Sequence, residues 1–329
     1  MIVQGENNFT IPALMISKFY NRIIVYHYNI VSRAIQKAQL DRNTLKSSVS
    51  DNYLTKHANR ERSIEIKEED LLIENALFSC YFIKKENPQT GEVQGKAKFE
   101  YIKNWYESVK KLNIHAIIIH DGIDEQFINE YETEKIKFRR FYPGNHPIID
   151  ERWIIFYMFL MRTNIKKAFF TDIGDVVVTR SPFDLISEKN QFFIGRDNAN
   201  KIRLSGWILE EIEKFKNETQ VKLPKSFYFQ PLYNVGIVGG NRDTMLFVLA
   251  KVIEYILQSE ESTYKEMTIF NVVIHKYFFP YLTYSKNEKI IVNPENDPYA
   301  SHHHLVSGYP LNSLFKGFEY DSDAYFIHK

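Results

Sequence analysis

Two short, almost wholly apolar runs limit what this chain can fold into: AIIIH at residues 116–120 and KAFFT at residues 167–171. Neither alternates apolar with polar residues, so neither suits a half-exposed strand. Runs of this kind belong to parallel strands covered on both faces. Parallel strands need long crossovers, usually helical, and the sequence supplies them. Across residues 99–112, Ile102, Trp105, Val109 and Leu112 recur at spacings of three and four and mark one helix face. A second helix is expected over 150–161, with Asp150 as N-cap. Further strands are expected at 76–83, 135–141 and 191–195, a short extended piece at 176–178 that Ser181-Pro182 ends, and helices at 206–215, 244–257 and 267–277. The alternation predicts an α/β fold with a mostly parallel central sheet between helical layers. Ligands in such sheets collect at the C-terminal strand ends. Asp121, Asp172 and Asp175 all fall there.

The remaining sequence narrows the function by exclusion. Lys and Arg number 42 against 41 Asp and Glu, a formal net charge of +1, so there is no global basic field for nucleic acid. The single cysteine, Cys80, excludes an internal disulfide framework and a cysteine-cluster zinc site and fits a reducing compartment. The most apolar stretch, residues 11–31, is interrupted by Lys18, Arg22 and His27. It therefore reads as a docked element with peripheral membrane contact as its alternative, and not as a transmembrane span. A cytoplasmic or membrane-peripheral protein is expected. Residues 1–70 read as an appendage of unknown role, with a boundary near Asp70, and residues 71–329 as the main domain.

The chemistry concentrates in KAFFTDIGDVVVTRSPF, residues 167–183. An apolar strand ends in two carboxylates three residues apart and then resumes as an apolar stretch. Carboxylates in apolar surroundings are paired, hydrogen-bonded or bound to a cation. Two on one turn can face a single hard divalent ion, and Mg²⁺ or Mn²⁺ takes such oxygen ligands while keeping positions open for phosphate. Gly174 between them permits a tight turn. The plain alternative is that both aspartates are turn residues.

This segment resembles the Asp-x-Asp element of nucleotide-sugar-dependent glycosyltransferases of the GT-A fold, here spaced Asp-x-x-Asp. Three other segments resemble the same family: NHPIIDERWIIFYMFLMR at 145–162, YNVGIVGGNRDT at 233–244 and EMTIFNVVIH at 266–275. The resemblance implies a GT-A-like, Rossmann-like α/β/α sandwich over roughly residues 74–329. It also implies Mn²⁺ or Mg²⁺, a nucleoside diphosphate sugar as donor and a glycan or glycoprotein as acceptor. By resemblance the metal ligands are Asp172, Asp175 and a late histidine, His328 or His304. Asp121, Arg152, Asp172, Asn234, Gly236, Gly239 and Asn271 would surround the donor. Asp243 and Glu266 are the candidate general bases, needed if the transfer inverts configuration.

Three other readings compete. A sugar-phosphate nucleotidyltransferase shares a similar core, but the segment after residue 76 has lysines without a compact Gly-rich loop. A haloacid-dehalogenase-like phosphatase needs an Asp where Gly174 stands. A non-catalytic carbohydrate-binding or scaffold protein would suit the aromatic richness, 21 Tyr and 25 Phe, and the altered Asp spacing.

Overall fold

The computed structural model describes residues 62–87, 91–186, 192–196, 201–259, 265–277 and 325–328. The chain divides into two units, Met1–Tyr53 and Leu54–Lys329, and all described residues belong to the second.

Its centre is a seven-stranded sheet. The strands are β1 (Ser63–Ile64), β2 (Asn75–Tyr81), β3 (Ala116–His120), β4 (Ile136–Tyr142), β5 (Lys167–Thr171), β7 (Phe192–Arg196) and β8 (Tyr233–Asn241), in the order β1-β4-β3-β2-β5-β8-β7. β4, β3, β2 and β5 run parallel, while β1 at one edge pairs antiparallel with β4, and at the other β8 runs antiparallel between β5 and β7. Two strands outside this sheet, β6 (Val176–Val178) and β9 (Phe326–His328), form an antiparallel pair.

The pleat sorts the aromatic residues into two layers. Leu77 and Phe169 face α1 (Phe99–Leu112) and α2 (Glu125–Tyr131), joining Trp105, Phe127 and Phe326 in one buried cluster. Their neighbours Phe78 and Phe170 face the other way. They pack on Phe156 of α3 (Ile148–Arg162), with ring centroids 6.0 and 4.2 Å away. Beside α3 on the same face lie α5 (Arg242–Ile256) and α6 (Glu266–Tyr277), both packed on β8, and α4 (Gly206–Thr219) packs against α6. Helices therefore cover both faces, as the apolar runs require. None of the described helices is long and apolar enough to cross a membrane.

β1 pairs with β4, and the turn Glu68–Leu72 is held by Asp70 on the buried Arg139 guanidinium (2.7 and 2.8 Å). One expectation changes. Asp150 does not cap α3. Pro147 stands at the N-cap, and Asp150 is buried inside the first turn. The glycine-rich segment at 233–241 is a nine-residue strand.

The strand order decides where a ligand can sit. β3 and β4 step outward from one side of β2, and β5 lies on its other side. The crossovers thus part in opposite directions between β2 and β5, which opens a crevice at their C-terminal ends.

Candidate metal centre

Three side chains converge beside that crevice. Asp172 follows the last residue of β5, Asp175 precedes β6, and His328 ends β9. The ladder Val176↔His328 sets the histidine against the second aspartate. His328 Nε2 lies 3.3 Å from Asp175 Oδ2 and 3.8 Å from Asp172 Oδ2, and one ligand atom from each of the three residues falls within 4.8 Å of the others. The pairing of β6 with β9 therefore builds the cluster.

The residues fit a divalent cation. Two carboxylates and an imidazole are a donor set that could hold a divalent cation. Asp175 Oδ1 and His328 Nδ1 are buried and have no hydrogen-bond partner among the described residues, although buried polar groups are ordinarily satisfied. Gly236 leaves room for the cluster. A Cβ there would collide with the His328 ring and come within 2.8 Å of Asp172 Oδ2.

A cleft of about 450 Å³ adjoins the cluster. Its lining includes Tyr81 and Phe82 at the end of β2, Tyr101 of α1, Arg152 of α3, Gly174 and Glu266. Tyr101 stacks on Tyr81 with centroids 5.2 Å apart. Burial, then the charges of Asp172 and Asp175, push the Tyr101 hydroxyl up to about 12, so it stays protonated.

Arg152 ties the aspartates to the far wall. Its Nε and Nη2 each donate to Glu266 at 2.8 Å, and its Nη1 donates to Asp172 Oδ1. Trp153 Nε1 adds a third donor to Glu266 at 2.9 Å. Burial pushes the Glu266 carboxyl up, and the Arg152 guanidinium opposes it. Burial alone would also raise Asp172, but Arg152 and then His328 outweigh it and hold that carboxyl below its ordinary value. Burial disfavours a charged His328, yet Asp175 and Asp172 together raise its pKa.

The other expected residues divide. Asn234 Oδ1 accepts from Gly236 N–H at 2.7 Å and would lie 3.0 Å from a Cβ on Gly236, so it borders the cluster. Asp121 does not line the cleft. Its carboxylate accepts three backbone N–H groups, of Ile83, Lys84 and Lys85, at 2.8–3.0 Å and fixes the chain leaving β2. Asn271 spends its amide on Tyr233 N, Tyr233 O and Met267 O, clamping α6 to β8. Gly239 packs against the Phe169 ring and gives close strand approach, not ligand contact. Asp243 is at the wrong end of the sheet: Asn241 pairs with Lys167, where β5 begins. The cluster lies a strand length away, roughly 15 Å at about 3.3 Å per residue. His304 and residues 11–31 lie outside the described residues.

Sequence reasoning did not single out Tyr101, Tyr81 or Trp153. The stripe of α1 that contains Trp105 marks that helix's buried face, and Tyr101 stands just beside it, so the core pattern masked the cleft residue.

No protein-family model matches the chain, and no curated protein matches it.

Proposed function

We propose that the chain transfers a sugar from a nucleoside diphosphate sugar to a glycan or protein acceptor, with Mn²⁺ or Mg²⁺ held by Asp172, Asp175 and His328. One observation carries the reading: two carboxylates from one turn and an imidazole from a strand about 150 residues later meet at the switch point of a parallel sheet, beside an open cleft. The resemblance of residues 145–183, 233–244 and 266–275 to GT-A glycosyltransferases supports the same reading.

Within it the residues divide the work. A divalent cation supplies positive charge against the charge that develops on the leaving diphosphate. Asp175 and His328 have buried atoms to spare for such an ion, and Asp172 offers the oxygen that Arg152 leaves uncovered. Arg152 holds Asp172 in place and brings a fixed positive charge to the cleft wall. Glu266 is a positioning residue for Arg152, since both its oxygens already accept N–H bonds. Tyr81 and Tyr101 give the cleft an aromatic wall for the flat part of the donor.

The test is a thermal-shift panel of nucleoside diphosphate sugars with Mn²⁺, Mg²⁺ or chelator. Ligand at a hundredfold excess over its dissociation constant stabilises the fold by about 2.7 kcal/mol. The expected result is a metal-dependent shift with one donor, abolished in Asp175→Asn and His328→Ala, and release of nucleoside diphosphate when acceptor is added. A triphosphate with sugar phosphate giving the shift instead would replace this reading with the nucleotidyltransferase. Full activity of Asp175→Asn would remove the metal from the mechanism.

A further inference from the structure

We infer that the surface built by residues 201–207 and 222–229 docks on an anionic lipid bilayer. Two short 3₁₀ turns, Ile202–Leu204 and Lys225–Phe229, pack together there, and Ile202 N–H donates to Gln230 O at 3.0 Å. Large apolar side chains stand outward on this surface: Leu204 at 60 %, Trp207 at 48 % and Phe229 at 57 % exposure. Ser205 and Ile208, between and beside them in sequence, are buried, and the Arg203 guanidinium lies 4.9 Å from the Phe229 ring centroid, joining the two turns.

Charge selects the occupant. Lys201, Arg203, Lys222 and Lys225 are all exposed, and residues 201–207 and 220–231 contain no Asp or Glu. The nearest exposed acids on α4 are Glu210 and Glu213; Glu213 is paired with Lys216 at 2.8 Å and accepts from the Tyr228 hydroxyl at 3.5 Å. Basic residues around outward Trp, Phe and Leu are the composition of surfaces that sink apolar tips to the headgroup boundary while their cations meet anionic lipid. A soluble polyanion would use the cations and leave the three apolar side chains without a phase to enter. The surface also lies at the ligand end of the sheet. Phe229 precedes β8 by a few residues, and Gly236 of that strand borders Asp172. Docking would therefore bring the cleft mouth close to the bilayer. The inference does not depend on the sugar-transfer reading.

The experiment is co-sedimentation of the full chain with phosphatidylcholine vesicles, with or without phosphatidylserine, at low and physiological salt. Two variants accompany it: Trp207→Ser with Phe229→Ser, and Lys201, Arg203, Lys222 and Lys225 each →Gln. All the changed side chains are exposed, and circular dichroism verifies the fold. Binding is expected only with phosphatidylserine present, and each variant is expected to weaken it about tenfold or more; each basic residue near such a surface is worth roughly fivefold. Three results would overturn the inference: no binding of the unsubstituted chain, equal binding by the variants, or loss in the charge variant alone with full competition by heparin. The last would mark a polyanion site.

Discussion

Arg152 and Glu266 stand 114 residues apart in sequence and meet as a parallel fork, guanidinium Nε and Nη2 each 2.8 Å from a carboxylate oxygen. The arginine side chain is 14 % exposed and the glutamate 5 %. A pair so withdrawn from water is worth little net, but removing one partner strands the other charge.

Arg152→Met alone should therefore destabilise the fold by about 3 kcal/mol, chiefly because Glu266 is left buried without its counter-charge. Adding Glu266→Leu should recover much of the loss. Urea denaturation of the single and double variants measures both. Equal stability of Arg152→Met and the parent chain would show that the fork contributes nothing.

Two glycines of β8 should separate site from scaffold. In Gly236→Ala the new methyl meets His328 and Asp172, so Mn²⁺ binding, followed by paramagnetic resonance, should weaken tenfold or more with a small change in melting temperature. In Gly239→Ala the methyl meets the Phe169 ring instead. Overpacking of that kind costs about 1–3 kcal/mol and should leave the metal titration unchanged. The reverse pattern would misplace the cluster.

Asp70 and Arg139 have no exposed side-chain surface, and Asp70 accepts two of the arginine's N–H groups. Asp70→Ala should cost about 3–5 kcal/mol. Because this pair locks the turn Glu68–Leu72 onto β4, amide exchange should speed up in β1 first. Unchanged exchange across Ser63–Ile64 would show that the segment is held some other way.

His120 should give acid lability. It is buried, and its Nδ1 accepts the Ile123 N–H at 2.9 Å, which fixes the neutral ring. Burial lowers its pKa to about 4, the nearby Asp121 opposing. The unfolded chain takes up a proton below about 6.5 that the folded chain refuses until about 4. Stability from this group is thus full above pH 6.5 and lost as pH falls to 4, on the order of 3 kcal/mol. His120→Asn keeps an acceptor there and should flatten the difference in melting temperature across that window. A parallel decline in both proteins would assign the lability elsewhere.

The sequence announced the layers and much of the site, for definite physical reasons. Helix 99–112 and strands 116–120 and 167–171 fall where periodicity and apolar runs put them, since burial on one face or two leaves a pattern along the chain. Asp172 and Asp175 were legible because charge inside apolar sequence needs a partner, whereas Arg152 was reached through family resemblance. His328 was reachable only through family resemblance, as a three-residue strand carries no periodic signal of its own. β8 was obscured because its glycines weaken any strand pattern, and they are there to admit Phe169 and His328. Asp243 misled because sequence adjacency to that segment hides a whole strand length. Asn271 and Asp121 are polar for the backbone's sake, which sequence alone does not distinguish from polarity meant for a ligand.

The pairing of β6 with β9 has a consequence during synthesis. A nascent chain can close the parallel strands around Asp172 and Asp175 well before Phe326–His328 leaves the ribosome. Until then Val176–Val178 has no ladder partner and the aspartates have no imidazole. A product cut short after Tyr277 but before Phe326 would have the sheet and both carboxylates but an unfinished centre. The cell would thus hold a fragment of the right fold and the wrong chemistry, with an open strand edge by which quality control could recognise it.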